Sequence, residues 1–252
     1  MQDETIVLTR SEELCSGLAQ QITEQGGRAI IIPALDIQPT VPEPVDPSEF
    51  DILIFVSRNA VKFALQSIPG LLQNTRTATI YCMGLGSRKE LMEQGFDPVV
   101  HAPGKGGSEA LLAMPDLQQE NVSGRRVTIL SGVGGLDLLE VALHKRGARV
   151  QRIDLYRRQK PEIAPALMSQ TWQVDKPNVV VIYSGEGMQN LLSLVSREDR
   201  AVFLQTPLLV ISSRLKELAQ TSGFEGEIGV ADSYADDAIL EALEKLIAVN
   251  KV

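Results

Sequence analysis

One strand–turn–helix pattern occurs twice in this sequence, at residues 51–65 and again at residues 178–192. In the first copy, residues 52–56 form an uninterrupted apolar run, which is typical of a strand buried on both faces of a parallel sheet. Ser57 ends this run, and apolar residues at helical spacing follow it. Ser184 takes the place of Ser57 in the second copy. A strand that leads directly into a helix exposes backbone N–H groups at the carboxyl edge of the sheet, where they can bind an anion.

The repeat extends over almost the whole chain. A unit of strand, helix and strand at residues 5–35 has a counterpart at residues 126–156, and the sequence around Phe96 has a counterpart around Phe224. We label residues 5–35 as A, residues 51–65 as B and residues 78–101 as C; their counterparts are A′ (residues 126–156), B′ (residues 178–192) and C′ (starting at residue 207). The order along the chain is A-B-C-A′-B′-C′. Because strands and helices alternate and the strands are apolar, the sequence predicts an α/β fold with two parallel sheets and flanking helices.

Two polar, proline-containing stretches predict the domain limits. Residues 38–50 follow unit A and residues 157–177 follow unit A′, and both are interpreted as linkers because proline disfavours regular structure. This division predicts one discontinuous domain, residues 1–37 with 178–252, and a second domain, residues 51–156, inserted into it. The chain then passes between the domains twice, which predicts a two-segment hinge beside a cleft.

Composition and charge exclude several classes of protein. The chain carries a net charge of −8 and no run of basic residues, which argues against nucleic acid as a partner. It has neither a long apolar window nor a signal-peptide pattern at its start, so we expect no membrane partner and a cytoplasmic location. Cys15 and Cys82 have no metal-like spacing and are expected to be buried thiols.

Motifs for metal, nucleotide or serine chemistry are incomplete. His101 and His144 lack other ligands at metal-binding spacing, so no metal site is expected. The glycine-rich turn at residues 132–135 follows a strand, as phosphate loops do, but it lacks both the GxGxxG spacing and the GK[ST] ending. The SGEG sequence at residues 184–187 is not a GxSxG elbow. We therefore expect no cofactor.

Six strand-to-helix turns carry small, hydroxyl or basic residues. For any one turn, helix capping is a sufficient explanation. All six, however, follow strands of parallel sheets, and ligands of such sheets bind beyond the carboxyl ends of the strands. The turns therefore predict a site for a large polyanion, held by N–H groups and arginines. The candidate binding residues are Arg10, Ser57, Arg58, Asn59, Gly84, Ser87, Ser131, Gly132, Ser184, Gly185, Ser212, Ser213 and Arg214.

Tyr156 stands at the end of the A′ strand, at the start of the second linker. Two interpretations remain open at this point. The phenol either faces the expected cleft or packs against the linker.

The motifs LTRSEE, IFVSRNAV, IDLYRR, VIYSGEG and VISSRLKELAQTSGF occur in this order. Together they resemble the uroporphyrinogen-III synthase family across nearly the full chain. The resemblance implies two α/β domains with the active site in the cleft between them. It also implies a cofactor-free lyase that takes hydroxymethylbilane, eliminates its hydroxyl group, inverts ring D through a spiro intermediate and closes the macrocycle to uroporphyrinogen III.

The resemblance also implies roles for individual residues. Tyr156 matches the family's tyrosine at the end of the linker, a candidate proton donor for the departing hydroxyl group. Ser57, Ser184 and the pair Ser212-Ser213 match turns that hold the acetate and propionate side chains, largely by main-chain amides. A monomer is expected.

Two other functions compete with this interpretation. One is a non-catalytic, hinged protein that binds or senses a small molecule, because such proteins use the same kind of two-domain cleft. The other is a nucleotide-dependent transferase built on the glycine-rich turn.

Overall fold

The computed structural model describes residues 1–75, 77–104, 106–135 and 137–250. The chain forms two compact units. Unit 1 comprises Met1–Asp36 and Gln159–Val252, and unit 2 comprises Ile37–Arg158.

The strands are, in chain order, β1 (Thr5–Leu8), β2 (Arg28–Ile31), β3 (Asp36–Pro39), β4 (Ile52–Phe55), β5 (Thr79–Cys82), β6 (Val99–His101), β7 (Arg126–Gly132), β8 (Arg149–Gln159), β9 (Val179–Ile182), β10 (Leu208–Val210) and β11 (Ile228–Val230). The α-helices are α1 (Glu12–Glu24), α2 (Arg58–Ser67), α3 (Leu71–Asn74), α4 (Leu85–Glu93), α5 (Ser108–Leu112), α6 (Gln119–Val122), α7 (Leu138–Lys145), α8 (Pro165–Ser169), α9 (Gly185–Leu194), α10 (Arg200–Gln205), α11 (Ser213–Thr221) and α12 (Asp236–Asn250). Short 3-10 helices span Pro47–Glu49 and Pro115–Leu117, and a π-helical turn spans Gln170–Asp175.

Unit 1 is built on a parallel sheet with the strand order β2-β1-β9-β10-β11. Because successive side chains of a strand point to opposite faces, Ile6 and Leu8 pack with helices α1 and α12, whereas Val7 packs on the other face with α9 and α11. Both faces of the sheet are therefore covered, as the uninterrupted apolar strands predict.

Unit 2 is built on a sheet with the strand order β3-β8-β7-β4-β5-β6, in which β8 to β6 are parallel. Leu53 and Phe55 of β4 face one apolar cluster, which includes α2 and α4. Ile52 and Ile54 face a second cluster, which includes α5 and α7. This strand also has apolar neighbours on both sides.

The sequence repeat reappears as one strand order used twice. In unit 1 the order is second strand of A, first strand of A, B′, and the two strands of C′. In unit 2 the order after the additional edge strand β3 is second strand of A′, first strand of A′, B, and the two strands of C. The α/β fold class and its pseudo-repeat, both predicted from the sequence, are confirmed.

The two stretches interpreted as linkers contain more regular structure than we expected. Strand β3, which includes Pro39, forms the edge of the unit 2 sheet, a position where proline is tolerated because one side of the strand has no hydrogen-bond partner. In the second stretch, β8 continues to Gln159, and α8 and the π-helical turn follow. Met168 and Trp172 are buried in the core of unit 1 and fix this stretch there.

Candidate active site

The candidate binding residues lie at the carboxyl ends of parallel strands in both units. In each sheet, the connections run toward opposite edges on the two sides of one strand boundary. These points are the β1/β9 boundary in unit 1 and the β7/β4 boundary in unit 2. Ligands of open α/β sheets bind at such topological switch points. Unit 1 carries Arg10, Ser184, Gly185, Ser212, Ser213 and Arg214, and unit 2 carries Ser57, Arg58, Asn59, Gly84, Ser87, Ser131, Gly132 and Tyr156.

Three of the serines cap helices. The Oγ atoms of Ser57, Ser184 and Ser212 accept hydrogen bonds from backbone N–H groups of the first helical turn, at 3.1, 3.0 and 3.3 Å respectively. Capping satisfies only one of the N–H groups that a helix leaves free at its start. The remaining N–H groups and the hydroxyl hydrogens are the groups that these turns can offer to a carboxylate.

Tyr156 is buried within unit 2, with 1% of its surface exposed. Its ring stacks on Phe63 of α2, with 5.6 Å between the ring centroids. The phenolic oxygen lies 2.9 Å from Ser57 Oγ. On the other side the ring covers Gly132, where a Cβ atom would lie 2.5 Å from the ring. The two interpretations were a phenol that faces a cleft and a phenol that packs against the linker. Neither describes this arrangement completely, because the ring is packed in the core of unit 2 and its hydroxyl group is hydrogen-bonded to the turn residue Ser57.

Gly132 thus has a steric function that the sequence does not reveal. A bulge between Ser131 and Gly132 places Gly132 opposite Tyr156 in the β7–β8 ladder. The N–H group of Val133 donates to the Tyr156 carbonyl at 2.8 Å. The absence of a side chain at residue 132 is what allows the aromatic ring to lie on the backbone.

The glycine-rich turn at residues 132–135 is fixed by Arg152, a residue that the sequence did not indicate. Its guanidinium group donates to the carbonyl oxygens of the first and last glycine of the turn, at 3.0 and 3.4 Å. It also bonds Ser131 Oγ and the carboxylates of Asp137 and Asp154, at 2.8–2.9 Å. The alternation of Arg152 and Asp154 on one strand face is the signal that could have identified this cluster. Close approach of the Tyr156 ring accounts for Gly132, close approach of Arg152 accounts for Gly135, and a φ of 76° accounts for Gly134, without a nucleotide phosphate.

The turn between β5 and α4 is open. Gly84 precedes α4 at the N-cap position and has no side chain to cap the helix, and no atom lies within 4 Å of the position of a Cβ atom there. The stem of Arg58 passes beside Gly86, and Ser87 is buried in the first turn of the helix. The Nε atom of Arg88 is buried and has no hydrogen-bond partner among the described residues. Arg88, also missed in the sequence, is therefore a further cationic group at this edge.

At the switch point of unit 1, the guanidinium carbon of Arg10 lies 5.1 Å from the centroid of the Tyr183 ring. Such a cation–π contact holds an arginine in place while its N–H groups stay available. Burial raises the pKa of Tyr183 well above its ordinary value, so the ring stays neutral beneath the guanidinium group. Tyr183 follows β9 directly, yet its sequence position alone does not indicate this contact.

The remaining turn residues have simpler surroundings. Gly185 lies against Leu218, whose side chain would be 2.8 Å from an added Cβ atom. Ser213 and Arg214 are exposed in the first turn of α11, and Asn59 is partly exposed in the first turn of α2. These residues leave polar groups accessible at the same edges.

The two cysteines lie beside the turns as buried thiols, and Cys82 Sγ donates to the carbonyl oxygen of Gly84 at 3.6 Å. Burial raises the pKa of both the Cys15 and the Cys82 thiol, so both stay protonated at neutral pH. Among the described residues no group of three or more His, Cys, Asp or Glu side chains is arranged to hold a metal ion. In the same part of the chain, no helix is long and apolar enough to cross a membrane.

Comparison with known proteins gives one consistent family. A family model described as uroporphyrinogen-III synthase HemD matches residues 16–241. The uroporphyrinogen-III synthase of Escherichia coli K12 is 31% identical over 248 residues, which cover 95% of this chain and all of that protein. The enzyme of the same name from Salmonella typhimurium LT2 is 35% identical over 201 residues, or 78% of this chain and 80% of that protein.

The fold has the same neighbours. The crystal structure of uroporphyrinogen-III synthetase from Helicobacter pylori matches with a TM-score of 0.62 and 18% identity, over 98% of this chain and all of that one. A mutant uroporphyrinogen III synthase from Thermus thermophilus matches with a TM-score of 0.58 and 14% identity, over 97% of this chain and 99% of that one. At these identities the likeness concerns the fold alone.

Proposed function

Because this chain belongs to the uroporphyrinogen-III synthase family, we propose that it converts the linear tetrapyrrole hydroxymethylbilane into uroporphyrinogen III. The reaction eliminates water and inverts ring D, which makes the protein a lyase of tetrapyrrole biosynthesis. The observation that carries the proposal is the family match over residues 16–241, joined to a relative that is 31% identical over its full length.

The chemistry of the turns is consistent with this substrate. The bilane carries acetate and propionate groups on every ring, and the turns of both units offer backbone N–H groups, hydroxyl groups and arginines. The hydroxymethyl group leaves readily even without an enzyme. The protein therefore mainly has to fold the chain, exclude water from the reactive azafulvene and favour one mode of closure. Helix N-termini and hydroxyl groups suffice for these tasks.

The test is the identity of the cyclic product. The protein is incubated with hydroxymethylbilane, the porphyrinogens are oxidised, and the isomers are separated by chromatography. Closure without inversion of ring D gives isomer I, so a product dominated by isomer III, formed faster than in a blank, supports the proposal. The isomer ratio of the blank would instead favour a hinged binding or sensor protein, and a requirement for added nucleotide would favour a transferase.

Ligand binding by both units is a second part of the proposal. If one tetrapyrrole contacts the turns of both units, Arg10→Ala in unit 1 and Arg58→Ala in unit 2 should each weaken the binding of uroporphyrinogen III. Calorimetry at increasing salt should also show weaker binding, since attraction between exposed charges is screened over about 8 Å at physiological ionic strength. The expected monomer and the expected cytoplasmic location stay predictions, and light scattering tests the first of them.

A further inference from the structure

The contact between Tyr156 and Ser57 bears on how the hydroxyl group of the substrate leaves. The two oxygens are 2.9 Å apart, which is hydrogen-bonding distance. They lie at the β7/β4 switch point of unit 2, where Ser57 follows β4 and Tyr156 faces the end of β7. Ser57 is only partly buried, whereas Tyr156 is 1% exposed. Of the two hydroxyl groups, that of Ser57 is therefore the one that a ligand can reach.

Counting hydrogen-bond donors and acceptors fixes the direction of this bond. Ser57 Oγ already accepts the N–H group of Ala60 at 3.1 Å. In the described part of the chain, Ser57 is the only hydrogen-bond partner of the Tyr156 hydroxyl group. If Ser57 were the donor, the phenolic hydrogen would be buried without an acceptor, which is unfavourable. Tyr156 therefore donates to Ser57, both lone pairs of Ser57 Oγ are occupied, and the hydrogen of Ser57 is left to donate to a ligand.

We infer that Ser57 is the catalytic residue that protonates the departing hydroxyl group, and that Tyr156 is a positioning residue that acts through Ser57. The inference deepens the proposed function and rests on it. A phenol is a stronger acid than an aliphatic hydroxyl group, so Tyr156 can pass its proton to Ser57 Oγ as Ser57 gives up its own. The N–H group of Ala60 stabilises any negative charge that develops on Ser57 Oγ.

The proton balance of this step closes within the reaction. The bond between the hydroxymethyl carbon and its oxygen breaks, both electrons stay on the oxygen, and the proton of Ser57 completes a water molecule. The proton of Tyr156 moves to Ser57 Oγ and leaves a phenolate. The azafulvene that remains carries a positive charge, and its carbon first bonds the ring D carbon that already holds the bridge from ring C; this carbon has no hydrogen to lose, so a spiro intermediate forms. The old bridge bond then breaks, the freed bridge carbon bonds the unsubstituted α-carbon of ring D, and this carbon expels a proton as its pyrrole regains aromaticity. That proton returns through Ser57 to the phenolate, so no further acid or base is consumed.

The surroundings of Tyr156 suit a positioning role. Phe63 and Gly132 hold the ring from its two sides, and the ring has almost no freedom to swing toward a ligand. A rigid partner lowers the reorganisation that a proton transfer requires. Ser57 is further constrained because it is the N-cap residue of α2, with extended backbone angles of φ −162° and ψ 167°.

A double-mutant cycle tests the inference. Tyr156→Phe and Ser57→Ala should each lower kcat by at least about tenfold, the lower end of what a general acid contributes. The double variant should lose little more than the worse single variant, because groups that act in series are not additive. Affinity for uroporphyrinogen III should stay within about twofold in Tyr156→Phe, since the loss falls on kcat rather than on binding. Ser57→Thr keeps both the hydroxyl group and a good helix cap, and should restore most of the rate.

The pH profile separates a proton-transfer role from a purely structural one. In Tyr156→Phe and Ser57→Ala, hydronium ions must supply the proton, so kcat should rise toward that of the parent as the pH is lowered. If Ser57→Ala folds poorly, Ser57→Gly removes the hydroxyl group while keeping a residue that is tolerated at a helix N-cap. Circular dichroism confirms the fold of each variant before its rate is compared.

The possible outcomes are distinct. If the parent protein forms no excess of isomer III, the proposed function fails. If the parent is active and Ser57→Ala or Ser57→Gly retains the parental kcat while Tyr156→Phe does not, Tyr156 acts on the substrate directly and the inference is overturned. Losses that multiply in the double variant, or variant rates that do not depend on pH, also overturn it.

Discussion

Replacing Gly132 with alanine tests whether the close packing of Tyr156 is what requires a glycine at the end of β7. The added Cβ atom would lie 2.5 and 2.6 Å from two carbons of the Tyr156 ring. Carbon atoms in proteins pack best at about 3.5–4.0 Å. The ring therefore has to move by about 1 Å, the difference between these distances.

Two contacts oppose this movement. The hydroxyl group of Tyr156 is bonded to Ser57, and the ring is stacked on Phe63. A shift of this size would stretch the hydrogen bond beyond its normal range. Overpacking a core typically costs about 1–3 kcal/mol, and a lost buried hydrogen bond adds about 1 kcal/mol. We therefore expect Gly132→Ala to lower the free energy of unfolding by about 2–4 kcal/mol.

Urea unfolding followed by circular dichroism is the appropriate measurement, because the single tryptophan, Trp172, lies in unit 1 and does not report on unit 2. Gly84→Ala is the matched control. It lies in the same unit, its backbone is extended and nothing lies within 4 Å of the new atom, so the only expected cost is that of replacing a glycine N-cap by alanine, less than about 1 kcal/mol. An unchanged urea midpoint for Gly132→Ala, or an equal loss in both variants, would refute the steric argument.

Three further predictions concern stability and metal dependence. Ser212→Ala should lower the free energy of unfolding by about 1 kcal/mol because Ser212 caps α11, whereas the neighbouring Ser213→Ala should change it by less than about 0.5 kcal/mol; equal thermal melting shifts would contradict this. The backbone N–H group of Arg126 donates to the Asp51 carboxylate and lowers its pKa in the folded protein. The charged carboxylate therefore stabilises the fold fully above the ordinary aspartate pKa of about 3.9. This stabilisation disappears as the pH falls through the lower pKa of the folded state. Asp51→Asn should thus be less stable at neutral pH, by about 0.5–1 kcal/mol given its partial exposure, and parallel curves for parent and variant in acid titrations would be the contrary result. Dialysis against a chelator should leave the rate of isomer III formation unchanged, and a loss that added metal restores would reveal a metal site.

The sequence predicts the strands and turns well because their signals are local. Apolar runs, capping serines and the repeat identify the α/β fold and place thirteen candidate binding residues at strand ends. It predicts less about what these residues contact. The space above Gly132 and the bonds of Arg152 depend on which strands become neighbours, which no local pattern encodes. Strand β3 was missed because prolines at a sheet edge and prolines in a linker look alike in sequence.

The repeat also explains how two similar units can contribute different chemistry. Ser184 caps α9 as Ser57 caps α2, with the same type of hydrogen bond. In unit 1, however, the residue that corresponds to Tyr156 is Leu35, so Ser184 has no phenol to bond. Asn190 of α9 instead donates to the carbonyl oxygen of residue 34 at 2.9 Å. The hydrogen-bonded pair of hydroxyl groups therefore belongs to unit 2, although both units have a capping serine at this position.

Unit 1 has a different group at its corresponding switch point, since Arg10 is held over Tyr183 there. A guanidinium group attracts carboxylates but is a poor proton donor, whereas a serine bonded to a phenol transfers protons but carries no charge. The proposed reaction needs both functions: several carboxylates must be held, and one hydroxyl group must be protonated. A duplicated fold can supply both when the two copies diverge at a few strand ends. Tyr156, which lies over Gly132 and stands where unit 1 has Leu35, is such a difference, and the two sheets share one strand order apart from the edge strand β3.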